Sequence, residues 1–166
     1  MDAELRELLV EYLRRHNTLT LATCGPDGPA AAGLFYVSDE RLRLYFLSEV
    51  TARHVQNLRE ERRVAAAIHE DYHDWRLIQG VQLRGAARPL DSAAEQAQAL
   101  RLYTRKYPFV REFMASPRLA GELLARKLGA SRFHVIEPHW MRWIDNRAGF
   151  GQRREYDLLA DVELAR

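Results

Sequence analysis

The chain has a single cysteine, Cys24, in 166 residues, so no internal disulfide can form. With no leader-like segment at its start, this points to a reducing cytoplasm. An excess of one charge is also missing. The 25 basic residues face 23 acidic ones, a net of +2. A nucleic-acid partner, which calls for a strongly basic face, is therefore not expected. No apolar run approaches the ~20 residues that span a bilayer, so no membrane partner is expected either. Internal repeats, low-complexity tracts and linker-like breaks are absent as well. What is present is an ordinary globular composition, 47% apolar and 29% charged. The length suits one domain, residues 1–166, with a sizeable core. Cys24 ends an apolar run and reads as an inert, half-buried side chain.

Residues 2–16 place Leu5, Leu8, Leu9, Tyr12 and Leu13 on one helical face, with Asp2 as cap. TLTLATC (18–24) alternates as a strand. GPDGP (25–29) is a turn with the Asp27-Gly28 hairpin signal, and AAAGLFYVS (30–38) is a second strand. Asp39-Glu40 turns the chain into LRLYFL (42–47), a third strand that stops at Ser48. RRVAAAIHEDYHDW (62–75) fits either helix or buried strand. LIQGVQLRGAARPL (77–90) is a long strand in which Gly80 and Gly85 mark bulges or close approaches. Ser92 and Glu95 form a capping box for a helix stopped near Pro108, and Ser116-Pro117 opens another that ends before Gly129. RFHVIEPHWMRWID (132–145) reads as a strand interrupted at Pro138, and RREYDL (153–158) as a last short strand. Six or so antiparallel strands with short hairpins imply a mainly β fold, a small barrel with peripheral helices.

Two stretches invite chemistry. HEDYH (69–73) matches the zinc-peptidase pattern H-E-x-x-H, which needs both histidines on one helix. The polar residues after His69 and the strand that follows leave little room for that helix, so a zinc peptidase is the third-ranked reading. LSEVTARHVQNL (47–58) carries two hydroxyls and two cationic side chains where a strand hands over to a helix starting near Thr51. Helix capping by Ser or Thr is the commoner use of such residues. A phosphate on the free first-turn amides is the alternative.

The order of the segments carries a resemblance. A strand ending LAT, a D-G turn, strands carrying FYV and LYFLS, then Thr51-x-Arg53-x-x-x-Asn57-Leu58 and the Arg63-Val64 strand, resemble the pyridoxamine 5′-phosphate oxidase-like flavoproteins, the FMN-binding split β-barrels. GVQLRGAARPL (80–90) resembles the next strand of that family, and WIDNRAGFGQRREY (143–156) a closing segment found in a bacterial subgroup. The resemblance implies that RVAAAIH is a barrel strand and that 47–58 grips a coenzyme phosphate. It suggests Ser48 and Thr51 as donors and Arg53 as the charged partner, with His54 beside them. For the flavin ring it suggests walls from Tyr36, Phe46 and Leu47, Gln82 at the polar edge, and Trp143 or Phe150 stacked over it. It further implies an FMN-dependent oxidoreductase acting on a small molecule, a homodimer with the flavin at the subunit interface, and no named catalytic residue. A deazaflavin in place of FMN, or a non-catalytic protein on the same barrel that holds flavin, haem or no cofactor, are its alternatives. The chain departs from enzymes that oxidise pyridoxamine phosphate: its second strand begins AAAGLFYV without their arginine, and the C-terminal R-L-H-x-R pattern is missing. That substrate is therefore not expected.

Overall fold

The computed structural model describes residues 2–115 and 129–159. Helix α1 (Ala3–Arg15) opens under the Asp2 cap, whose carboxylate accepts the Leu5 amide at 3.1 Å. Its apolar stripe, Leu5, Leu9 and Leu13, is fully buried against the interior of the sheet. Strands β1 (Thr18–Gly25), β2 (Gly28–Ser38) and β3 (Leu44–Glu49) form the expected meander. Short helix α2 (Arg53–Glu60) follows, and β4 (Arg63–His69) then pairs with β1 on its other side. A single 3₁₀ turn, Trp75–Leu77, leads into β5 (Gln79–Pro89). Helices α3 (Ala93–Lys106) and α4 (Pro108–Ala115), strand β6 (Ser131–Asp145) and strand β7 (Arg153–Asp157) complete the described chain.

The strand order is β3-β2-β1-β4-β5-β6-β7, and β6 also pairs with β3, so six strands close into a ring with β7 added outside. Strand β6 makes this possible by its length. Its first half, residues 131–136, reaches β3, and its second half, residues 140–144, reaches β7. Alternation along the strands sends Leu19, Leu21, Leu44, Phe46, Ile68, Val81, Leu83 and Ile136 inward to one core. A second cluster lies on the outer face, where Tyr103 and Tyr107 of the helical insert cover Val37, Tyr45 and Val135.

Several boundaries differ from the sequence reading. The run RVAAAIH is strand, so the histidines of HEDYH fall at a strand end and in a loop, on no helix. Third strand β3 starts at Leu44, not Leu42, because Leu42 adopts a left-handed conformation (φ 63°) in the preceding turn. It also runs through Ser48 to Glu49. Pro138 does not interrupt β6. The register slips between Arg84 and Gly85, leaving His139 as an extra residue, and a bulge tolerates a residue with no N–H to donate. Gly85 is required there, since a Cβ would collide with the Glu137 carbonyl. Helix α3 does stop at Lys106, just before Pro108, but Pro108 also opens a further helix, α4, that the sequence reading did not include. Cys24 is exposed rather than half-buried. The helix expected from Ser116-Pro117 lies outside the described residues.

Candidate functional site

Strand β3 directs Leu44, Phe46 and Ser48 into the ring and Tyr45 and Leu47 outward. Ser48 is thus a buried hydroxyl, 7% exposed, near the end of the strand. It hydrogen-bonds Nε2 of His54 at 2.8 Å. His134, inward-facing on β6 opposite Phe46, stacks on the Phe46 ring at 5.1 Å between centroids and 10° between planes. The His54 ring is tilted against Phe46, with centroids 6.1 Å apart. Two imidazoles, one hydroxyl and one phenyl ring therefore meet where β3 hands over to α2.

Burial sets the charge of this corner. Desolvation pushes the His54 pKa below its ordinary value. It does the same for His134, where the neighbouring His54 adds to the lowering and the hydrogen bond to the Arg132 carbonyl opposes it. Burial thus favours the neutral form of both rings. Nδ1 of His134 faces the Arg132 carbonyl at 3.0 Å; donating there assigns the proton to Nδ1 and leaves Nε2 as an acceptor.

The rim is different. Helix α2 begins at Arg53, two residues later than the sequence suggested, with Ala52 at the N-cap and no side-chain cap. Neither Ser48 nor Thr51 serves as that cap. Thr51 is exposed, and Arg53 is exposed and paired with Asp27 of the β1–β2 turn. Asn57, buried on α2, donates to the Thr23 hydroxyl at 3.0 Å and pins the helix to β1. Gly25 leaves the room this needs, because a Cβ there would overlap the Asn57 amide.

Of the remaining candidates, Tyr36 pairs with Phe46 across β2 and β3, and the others point away from this corner or lie elsewhere. The Tyr36 ring is enclosed in the core, its hydroxyl donating to the Leu13 carbonyl of α1 at 2.9 Å. Trp143 is buried with its ring edge-to-face against Tyr12 at 4.8 Å. Leu47 packs outward against the helical insert. Gln82 is exposed on the outer face of β5, within a shallow cavity of about 490 Å³ whose floor includes Ala22, Ala65 and Ala67. Trp140 borders the same cavity, flanked by the guanidinium groups of Arg84 and Arg142 at 4.1 and 4.9 Å from its ring. Phe150 is exposed and meets Trp75 edge-to-face at 5.0 Å. His134 was missed by sequence reasoning, because only the β3–β6 pairing brings it to Phe46.

Comparison with known proteins agrees with this architecture. Residues 5–142 match the family model described as pyridoxamine 5′-phosphate oxidase. A UPF0306 protein of Enterobacter sp. (strain 638) is 30% identical over 123 residues, which is 74% of this chain and 75% of the relative. A haem-binding protein from Mycobacterium smegmatis superposes with a TM-score of 0.68 at 20% identity, covering 92% of this chain and 59% of that one. The haem storage protein HutZ of Vibrio cholerae does so with a TM-score of 0.61 at 17% identity, covering 82% and 89%. At these identities the superpositions establish the fold alone.

Proposed function

The chain belongs to the pyridoxamine 5′-phosphate oxidase family, and on that premise we propose that it is an FMN-binding flavoprotein, an oxidoreductase moving electrons or hydride to or from a small molecule. One observation supports this most: α2 starts without a side-chain cap, beside an exposed hydroxyl and an exposed guanidinium. Free first-turn amides, the Thr51 hydroxyl and the Arg53 fork are donors suited to a phosphate dianion. In this reading Arg53 exchanges Asp27 for the phosphate, and Ser48, held by His54, supplies a further hydroxyl. Phe46, with Tyr36 opposite it on β2, is packing at this corner, while Trp143 packs against Tyr12 elsewhere in the core. The bound flavin would supply the redox chemistry; the protein's part is to hold its phosphate and shield its ring.

The ring would lie along the outer sheet face near Gln82, enclosed by a second copy of the chain. The alanine floor at 22, 65 and 67 suits close approach of another flat surface, and the two arginines beside Trp140 supply a polar border. The expected assembly is a homodimer, measured by light scattering after size exclusion.

Titration with FMN tests the phosphate assignment. Arg53→Ala is expected to weaken binding by about 1.5–3 kcal/mol, the range for losing a charged hydrogen bond. Equal affinity for the two proteins would remove the assignment. Oxidation of NAD(P)H with an acceptor tests turnover. A second reading, a haem carrier without turnover, draws support from the desolvated His54 and His134. Haemin titration, read by the Soret band in wild type and in His54→Gln and His134→Gln, separates the two.

A further inference from the structure

The other end of β3 holds a site of different character. Between the β2–β3 turn, the end of α1 and the last turns of α3 lies a cavity of about 600 Å³. That is the size of pockets that take small organic ligands. Five basic side chains line it against two acidic ones. The two acids are already engaged. Asp39 receives Arg43 Nε at 2.8 Å, and Glu40 receives Arg14. The ammonium of Lys106 is held by the Leu13 and His16 carbonyls at the end of α1 and lies 4.5 Å from the Tyr36 ring centroid. Arg41 and Arg105 remain, with no carboxylate partner among the described residues.

The turn is built to present these groups. The Asp39 carboxylate accepts the Arg41 and Arg43 amides, each at 3.0 Å, and the Tyr45 hydroxyl, also at 3.0 Å. Leu42 is buried between the two arginines in a left-handed conformation unfavourable to a branched side chain, which fixes Arg41 and Arg43 on the cavity wall. On the opposite wall Arg105 sits beside Gln98 and Leu102, one helical turn apart from each other, which offer an amide and an apolar surface.

We propose that this cavity binds a small phosphorylated molecule, its phosphate taken by the free guanidinium groups of Arg41 and Arg105 and its organic body lying along Leu102. Arginine forks suit phosphate oxygens, and the five basic side chains outnumber the two acidic ones in the lining. The site is separate from the proposed coenzyme corner. Arg43 precedes β3 and Ser48 lies near its end, a span of about 16 Å at the rise of an extended chain.

The test is calorimetric titration of inorganic pyrophosphate into FMN-saturated protein at low salt, for wild type, Arg53→Ala and the double variant Arg41→Gln/Arg105→Gln. Wild type and Arg53→Ala are expected to bind one equivalent with similar affinity, weakening as salt rises. The double variant is expected to bind at least about tenfold more weakly, with an unchanged melting temperature, since both arginines are exposed. No saturable binding to wild type, equal binding to the double variant, or a loss confined to Arg53→Ala would each overturn the proposal. Should FMN fail to bind, the same three proteins are titrated without it, so that the two readings stand or fall separately.

Discussion

The two ends of β3 solve the same problem in opposite ways. Each gathers polar groups at a change of chain direction. At the far end, burial disfavours the charged forms of His54 and His134, and a hydroxyl and a phenyl ring satisfy and support them. At the near end Asp39, half-buried, accepts hydrogen bonds from two amides, a guanidinium and a phenol. One six-residue strand thus joins a dry, histidine-lined corner to a wet, ionic one. The comparison teaches that burial disfavours the charged form at either end, for the two histidines and for Lys106 alike.

The largest effect should come from the dry corner. Phe46→Ala removes a fully buried ring shared by both imidazoles and is expected to cost about 3–5 kcal/mol, measured by urea denaturation. A cost near that of a surface substitution would mean the corner is not packed as described. The wet corner should be next. Asp39→Ala leaves the turn amides and Arg43 without their acceptor and is expected to cost about 2–3 kcal/mol, with Asp39→Asn recovering part of it.

Acid should then distinguish the corners. Both histidine pKa values in the folded chain lie below the ~6.5 of an unfolded histidine. Below that pH the unfolded chain takes up protons that the folded one resists, so stability is lost as pH falls. His54→Gln and His134→Gln should each flatten this dependence. On the alkaline side burial holds the Lys106 pKa down at about 8, against 10.5 for a free lysine. Between those values the unfolded chain binds more protons, so this residue makes stability rise with pH, and Lys106→Met should abolish the rise between pH 8 and 10. The smallest effect belongs to Arg53→Ala. Its pair with Asp27 is exposed at 59% and 74%, so thermal melting should shift by no more than ~0.5 kcal/mol while FMN affinity falls.

Much of this layout was legible in the residues. Asp2 and Ser92 cap helices where their positions suggested, and Ser92 accepts the Glu95 amide as a capping box should. The meander followed from alternation and short turns. What failed to show were features set by distant partners. Leu42 carries nothing to announce a left-handed backbone, because its buried side chain and the Asp39 network impose it. Pro138 reads as a break until the pairing with β5 is seen to leave a bulge beside it at His139. Pro108 is ambiguous alone, since the same ring that ends one helix is well suited to begin the next. His134 is silent until β6 lies beside β3.

That pairing of β6 with both β3 and β5 bears on how the protein is made. Synthesis proceeds from the N-terminus, and the closing strand begins only at Ser131. While the ribosome is still translating earlier codons, β3 and β5 each present a row of unpaired amides and carbonyls. A nascent chain stalled before that point would carry two adhesive borders, the form of this molecule most in need of a chaperone.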